Sequence, residues 1–145
     1  MAVVSGEKSA DAGLGTIKTQ GIDHVGLSVA DLDRGARFYT EVLGLRLIRR
    51  FGEPRQALMA CGKSLLTLIE VKDYPGFLNI TKSRSHLSMF VSKTEFQRAV
   101  EILHNRNVRI IYGPERHRDG KRLLLVDPDE NKIEIAYPKT KACWR

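Results

Sequence analysis

Apolar and polar residues alternate along IDHVGLSV (22–29), the period of a half-buried strand. Val25, Leu27 and Val29 share one face; His24, Gly26 and Ser28 share the other. Asp31 or Asp33 then caps a helix whose apolar side carries Leu32, Ala36, Tyr39, Val42 and Leu43, and Gly44 is its stop signal. Three strands follow, LRLIRRF (45–51), QALMAC (56–61) and SLLTLIEV (64–71), set apart by Gly52, Pro54, Gly62 and Lys63. Residues 73–85 are turn-rich and polar, and read as a connector.

The order then restarts. HLSMFV (86–91) alternates again, and Ser92 with Glu95 has capping-box spacing ahead of a helix with Phe96, Ala99, Val100 and Leu103 inward. VRIIYG (108–113), RLLLVD (122–127) and KIEIAY (132–137) complete a second strand, helix, three-strand set, the last two joined by a turn at 127–131. Two βαβββ modules in this order predict an α+β fold rather than a parallel α/β sheet. The predicted organisation is a leader over 1–20 and one domain over 21–145. Within the domain, module one spans 21–72, the connector 73–85, module two 86–138 and a tail 139–145.

Composition narrows the setting. A chain of 145 residues suits one domain with a real core. No apolar run approaches the roughly 20 residues of a membrane-spanning helix, and the leader, with Glu7 and Asp11, lacks the apolar segment of a secretory signal. Two cysteines, Cys61 and Cys143, make no disulfide framework, so a reducing cytoplasm is expected. The net charge of +7 favours anionic partners. The basic residues form no long run and no nucleic-acid-binding motif is present, which points to a small anionic metabolite rather than nucleic acid.

The candidate chemistry lies in what repeats. His24 and His86 each sit near the start of a module's first strand, and Glu70 and Glu134 each lie among aliphatic residues of a module's last strand. The separations are 86 − 24 = 62 for the histidines and 134 − 70 = 64 for the acids, which predicts pseudo-twofold symmetry. A carboxylate in an apolar sheet needs a partner or a metal. Two imidazoles with one or two carboxylates suit a divalent ion: zinc, nickel, manganese, cobalt or iron. Glu70 has an alternative, an ion pair with Arg46 or Arg55. His104, at a helix C-terminus, reads as a surface residue. His117 falls in the basic stretch 115–122, where Arg118 and Lys121 are candidates to grip an anionic substrate.

These residues resemble the vicinal oxygen chelate superfamily, which includes glyoxalase I, fosfomycin-resistance thiol transferases, methylmalonyl-CoA epimerase and extradiol dioxygenases. The resemblance runs over 21–138 and is carried by IDHVGLSVADLDRGARFYTEVLGLRL (22–47) and LLLVDPDENKIEIAYP (123–138). It implies paired βαβββ modules whose eight strands form a curved mixed sheet around one divalent metal ion. It also implies His24, His86 and Glu134 as ligands. Glu70 falls near the fourth ligand of the glyoxalase and epimerase branches, a position that supplies none in the thiol transferases. The resemblance further implies a basic loop over the substrate, a homodimer that completes its site by pairing modules, and a metal acting as Lewis acid. In the isomerase branch a metal-site carboxylate, here Glu70 or Glu134, also moves a proton.

Departures sort the branches. Ser28 stands where many glyoxalases hold the glutathione carboxylate with arginine, and Tyr74 where a clamp asparagine would fall. Gly26 replaces a threonine that faces fosfomycin, Cys143 replaces an arginine of the thiol transferases, and Leu124 stands where a tyrosine of the dioxygenases is expected. The sequence therefore predicts a glyoxalase-like lyase or isomerase acting on a small anionic oxygen-chelating compound. The alternatives are a metal-free binding or resistance module, a thiol transferase or an extradiol-type dioxygenase.

Overall fold

A computed structural model describes residues 15–76 and 83–141. Most of the leader, the middle of the connector and the end of the tail with Cys143 lie outside the described residues. The chain order is β1 (Val25–Val29), α1 (Leu32–Arg37), β2 (Arg46–Phe51), β3 (Gln56–Cys61), β4 (Ser64–Glu70), β5 (Leu87–Phe90), α2 (Lys93–Asn105), β6 (Ile110–His117), β7 (Gly120–Val126) and β8 (Lys132–Tyr137). The eight strands divide into two four-stranded mixed sheets, ordered β1-β4-β3-β2 and β5-β8-β7-β6. In each, the first strand runs parallel to the last and the other pairings are antiparallel.

Both helices begin as their caps dictate. Asp31 accepts a hydrogen bond from the Arg34 N–H at 2.9 Å, and Ser92 accepts one from Glu95 N–H at 3.1 Å. α1 is shorter than its apolar pattern suggests because it opens into a π-helical turn over Phe38–Val42. The Thr40 hydroxyl donates back to the Ala36 carbonyl at 2.9 Å, a bond that disturbs a helical ladder. Gly44, at φ +69°, ends the segment in the left-handed region.

The basic stretch 115–122, which lies between the predicted strands 108–113 and 122–127, is mostly strand. β6 continues through His117 and β7 begins at Gly120, leaving a tight turn in which Arg118 has φ +53°. Gly120 is required there: a Cβ would lie 2.0 Å from the Tyr137 carbonyl oxygen. Glycine at this point lets β7 press against the end of β8.

One core joins the modules. Leu66, Leu68 and Met59 of the first sheet cluster with Leu123, Leu125, Ile133 and Ile135 of the second, around Leu32, Tyr39, Phe96 and Leu103 of the helical segments. Each fully buried aliphatic side chain contributes roughly 1.5–3 kcal/mol. α1 sits close on β1 at Gly35, where a Cβ would be 3.2 Å from Val29 Cγ1. Polar bonds cross the seam. Tyr39 donates its hydroxyl to Asp127 at 2.8 Å, Arg34 reaches Asp129 at 2.8 Å, and the Asn131 amide donates to the Ser28 carbonyl at 3.0 Å. The sheet faces that meet the helices are thus joined through one core, and the opposite faces carry the candidate chemistry.

Candidate metal centre

Strand register decides which side chains share a face. In the second sheet Ser88 pairs with Glu134, and Leu124 with Glu134 across β7. His86, Ser88 and Phe90 therefore stand on the same face as Glu134, Leu124 and Arg122, opposite the core. The His86 Nε2 lies 4.0 Å from Glu134 Oε2, somewhat wider than the ~3.4 Å between two ligands of a tetrahedral ion. Glu134 is 6% exposed, so its charge needs partners. Ser88 donates its hydroxyl to Oε1 at 2.7 Å, and Arg122 approaches Oε2 at 3.4 Å.

In the first sheet Gly26 pairs with Thr67, so His24 shares its face with Gly26, Ser28 and Thr67. One chain does not bring His24 to the other two: among the described residues no group of three or more His, Cys, Asp or Glu side chains is placed to hold an ion. Of the three side chains the sequence expects to converge, His86 and Glu134 lie close together and His24 stands apart from them.

The orientation of both imidazoles suits metal binding. His24 Nδ1 lies 2.7 Å from the Asp23 carboxylate, and His86 Nδ1 lies 2.8 Å from the Arg84 carbonyl. Both partners are acceptors, so each Nδ1 donates, and in the neutral ring that tautomer leaves the Nε2 lone pair facing outward. The donor set, two Nε2 nitrogens and a carboxylate, fits a divalent transition ion.

Glu70 is elsewhere. It pairs in register with Val29, which puts it on the helix side of the sheet. Its Oε2 accepts from the Leu32 N–H at the start of α1, at 2.9 Å, and from Arg55 at 2.8 Å. The arginine alternative is the one the geometry takes, and the position keeps Glu70 from the face that holds His24. Arg118 sits in the β6–β7 turn and bonds Thr140. Lys121 is exposed and pairs with Tyr137, on the helix side. Neither faces the His86–Glu134 pair. His104 is exposed in the last turn of α2, as expected, and His117 ends β6.

Sequence reasoning missed Ser88 and Arg122, whose parity with His86 and Glu134 was the available signal. Arg122 Nε bonds Glu115 at 2.7 Å, its guanidinium lies 5.6 Å from the Tyr112 ring centroid, and it borders a cleft of about 500 Å³ that also meets Arg84, His86, Lys132 and Glu134. The Tyr112 hydroxyl and Arg122 hold the Glu115 carboxyl below its ordinary value, and the same bond to Glu115 pushes the Tyr112 phenol up.

Comparison with known proteins agrees with the fold. The chain is 32% identical over 117 residues to the metallothiol transferase FosB of Staphylococcus saprophyticus, spanning 80% of this chain and 76% of that protein. It is 33% identical to FosB of Lysinibacillus sphaericus, over 80% of this chain and 81% of that one. The crystal structure of a glyoxalase/dioxygenase from Nostoc punctiforme superposes with a TM-score of 0.73 at 22% identity, covering 85% of this chain and 97% of that one. A family pattern, Glyoxalase/Bleomycin resistance protein/Dioxygenase superfamily, matches residues 21–135. The chain belongs to that superfamily.

Proposed function

We propose that the protein is a divalent-metal-dependent enzyme with three ligands, His24, His86 and Glu134, that promotes addition of a nucleophile to a small anionic substrate. The observation that carries this reading is the register. Glu134 pairs with Ser88, two residues beyond His86, and the residue that pairs two beyond His24 is Thr67. The first sheet therefore offers an imidazole without an acid. Isomerisation of the glyoxalase type uses a carboxylate at the metal as proton carrier beside a full ligand set, and Glu70 lies on the wrong face to supply one. A three-ligand set resembles the thiol-transferase branch, in keeping with the FosB relatives. Gly26 and Cys143 argue against fosfomycin as the substrate, and Leu124 against ring cleavage.

His24 reaches the other ligands by way of a second copy of the chain, His24 of one protomer facing His86 and Glu134 of its partner. The bound cation would supply Lewis-acid polarisation of a substrate oxygen. The protein's own part is to aim the ligands: Asp23 and the Arg84 carbonyl fix the imidazoles, and Ser88 fixes the carboxylate.

Metal analysis of the untagged protein tests the reading. About one divalent ion per chain is expected, lost in His24→Ala, His86→Ala and Glu134→Ala. Mixed dimers of His24→Ala with Glu134→Ala chains should regain half of the metal, because one of the two shared sites is then intact. Retention of metal by His24→Ala, or no recovery on mixing, overturns the shared site. Disappearance of a thiol with small epoxide or carbonyl acids reports the reaction class.

A further inference from the structure

The cleft beside His86 and Glu134 has a charge pattern that the metal ligands leave unexplained. Three cations border it, Arg84, Arg122 and Lys132, against one lining acid, Glu134, with Glu115 paired to Arg122 beside it. Lys132 is engaged with the Ser83 carbonyl. Arg122 differs from the other two in how it is held. Its Nε is tied to Glu115 at 2.7 Å, and its side chain is 30% exposed and rests against Tyr112. The forked end is less committed: its approach to Glu134 Oε2 is 3.4 Å, well beyond the ~2.7–2.9 Å of a full charge-assisted bond. An arm clamped at Nε with an under-used fork, aimed into a cleft, matches what recognition of a planar or tetrahedral oxyanion requires.

We propose that Arg122 is the substrate-recognising cation of this site, binding the carboxylate or phosphonate of a small acid whose neighbouring oxygen faces His86 and Glu134. The proposal rests on the metal-centre reading for the placement of that second oxygen. It replaces Arg118 and Lys121 in the role the sequence suggests for them. Glu115 and Tyr112 act as positioning residues: the carboxylate holds Nε and the ring bounds the guanidinium, so the fork stays extended toward Glu134. Coordination of Glu134 to a cation would draw the carboxylate's charge away from Arg122 and leave the fork to the substrate.

Isothermal titration of the full chain with methylphosphonate and, separately, glycolate tests this, in metal-free and manganese-loaded forms. Wild type, Arg122→Gln, Arg122→Lys and Arg118→Gln are compared, with metal content measured for each. Wild type should bind at least one of the two anions, and the stronger of them names the oxyanion. Arg122→Gln should weaken that binding tenfold or more with metal content unchanged, Arg122→Lys should restore it only in part, and Arg118→Gln should stay within twofold of wild type. Binding by Arg122→Gln within twofold of wild type overturns the proposal, as does failure of wild type to bind either anion. Loss of metal in Arg122→Gln would instead make Arg122 a support for Glu134, and also overturns it. A wild-type chain that holds no metal sinks the metal-centre reading, while the metal-free titrations still decide the role of Arg122.

Discussion

Thr67 occupies in the first sheet the position that Glu134 occupies in the second. Each pairs, in a parallel register, with the residue two beyond its module's histidine, Gly26 for Thr67 and Ser88 for Glu134. The duplication is therefore faithful in backbone and unequal in chemistry.

Glu70 supports the first helix. Its carboxylate accepts from the Leu32 N–H, one of the donors a helix start leaves without an intrahelical partner, and it pairs with Arg55. Arg55 is half exposed, so the ion pair itself is worth about 0–1 kcal/mol. Glu70→Ala should cost about 1–2 kcal/mol in denaturant unfolding and leave metal content unchanged. A loss of metal would restore Glu70 to the ligand set.

Ser88 is the hydroxyl that fixes the Glu134 carboxylate. Ser88→Ala removes the 2.7 Å bond to Oε1 and should weaken metal binding by about tenfold. Competition against a metal-sensitive dye measures it, and an affinity equal to wild type would refute the role.

Gly120 bears the close approach of β7 to β8. Gly120→Ala drives a methyl into the Tyr137 carbonyl, so the strands must part, and unfolding should show a loss above about 2 kcal/mol. Gly52→Ala, where nothing lies within 4 Å, serves as the control and should be nearly neutral.

Asp127 gives the seam a pH dependence. Burial pushes its carboxyl above the ordinary value of 3.8, outweighing the bonds from Asn131 and Tyr39 that act the other way. A carboxyl raised in the folded state favours folding most when protonated, and that contribution is lost as pH rises through the raised value. The stability gap between wild type and Asp127→Asn should be largest below pH 3.8 and should narrow as pH rises above it. Chemical unfolding of both proteins across that range checks the sign, and a gap that widens with pH would contradict it.

Much of the architecture was legible because local signals agreed. Alternation gave β1 and β5, Asp31 and Ser92 marked the helix starts, and the repeated order gave the α+β class. The misreadings have local causes. The 115–122 stretch is rich in charge and looked like a loop, yet its alternate residues Glu115 and Arg122 pair across two strands. The acids match in spacing but not in face. Glu70 lies three residues beyond Thr67, and an odd offset along a strand reverses the face. No count of residues between modules reveals such a shift, since it depends on how β1 and β4 are registered.

The two imidazoles also differ from ordinary exposed histidines in one respect. Each ring is steered by a neighbour on its own segment, Asp23 for His24 and the Arg84 backbone for His86. Each ring thus has a hydrogen-bonded partner before any ion arrives. At the proposed metal centre an ion would meet imidazoles already turned toward it, and discrimination among ions would fall to the distance between the donors.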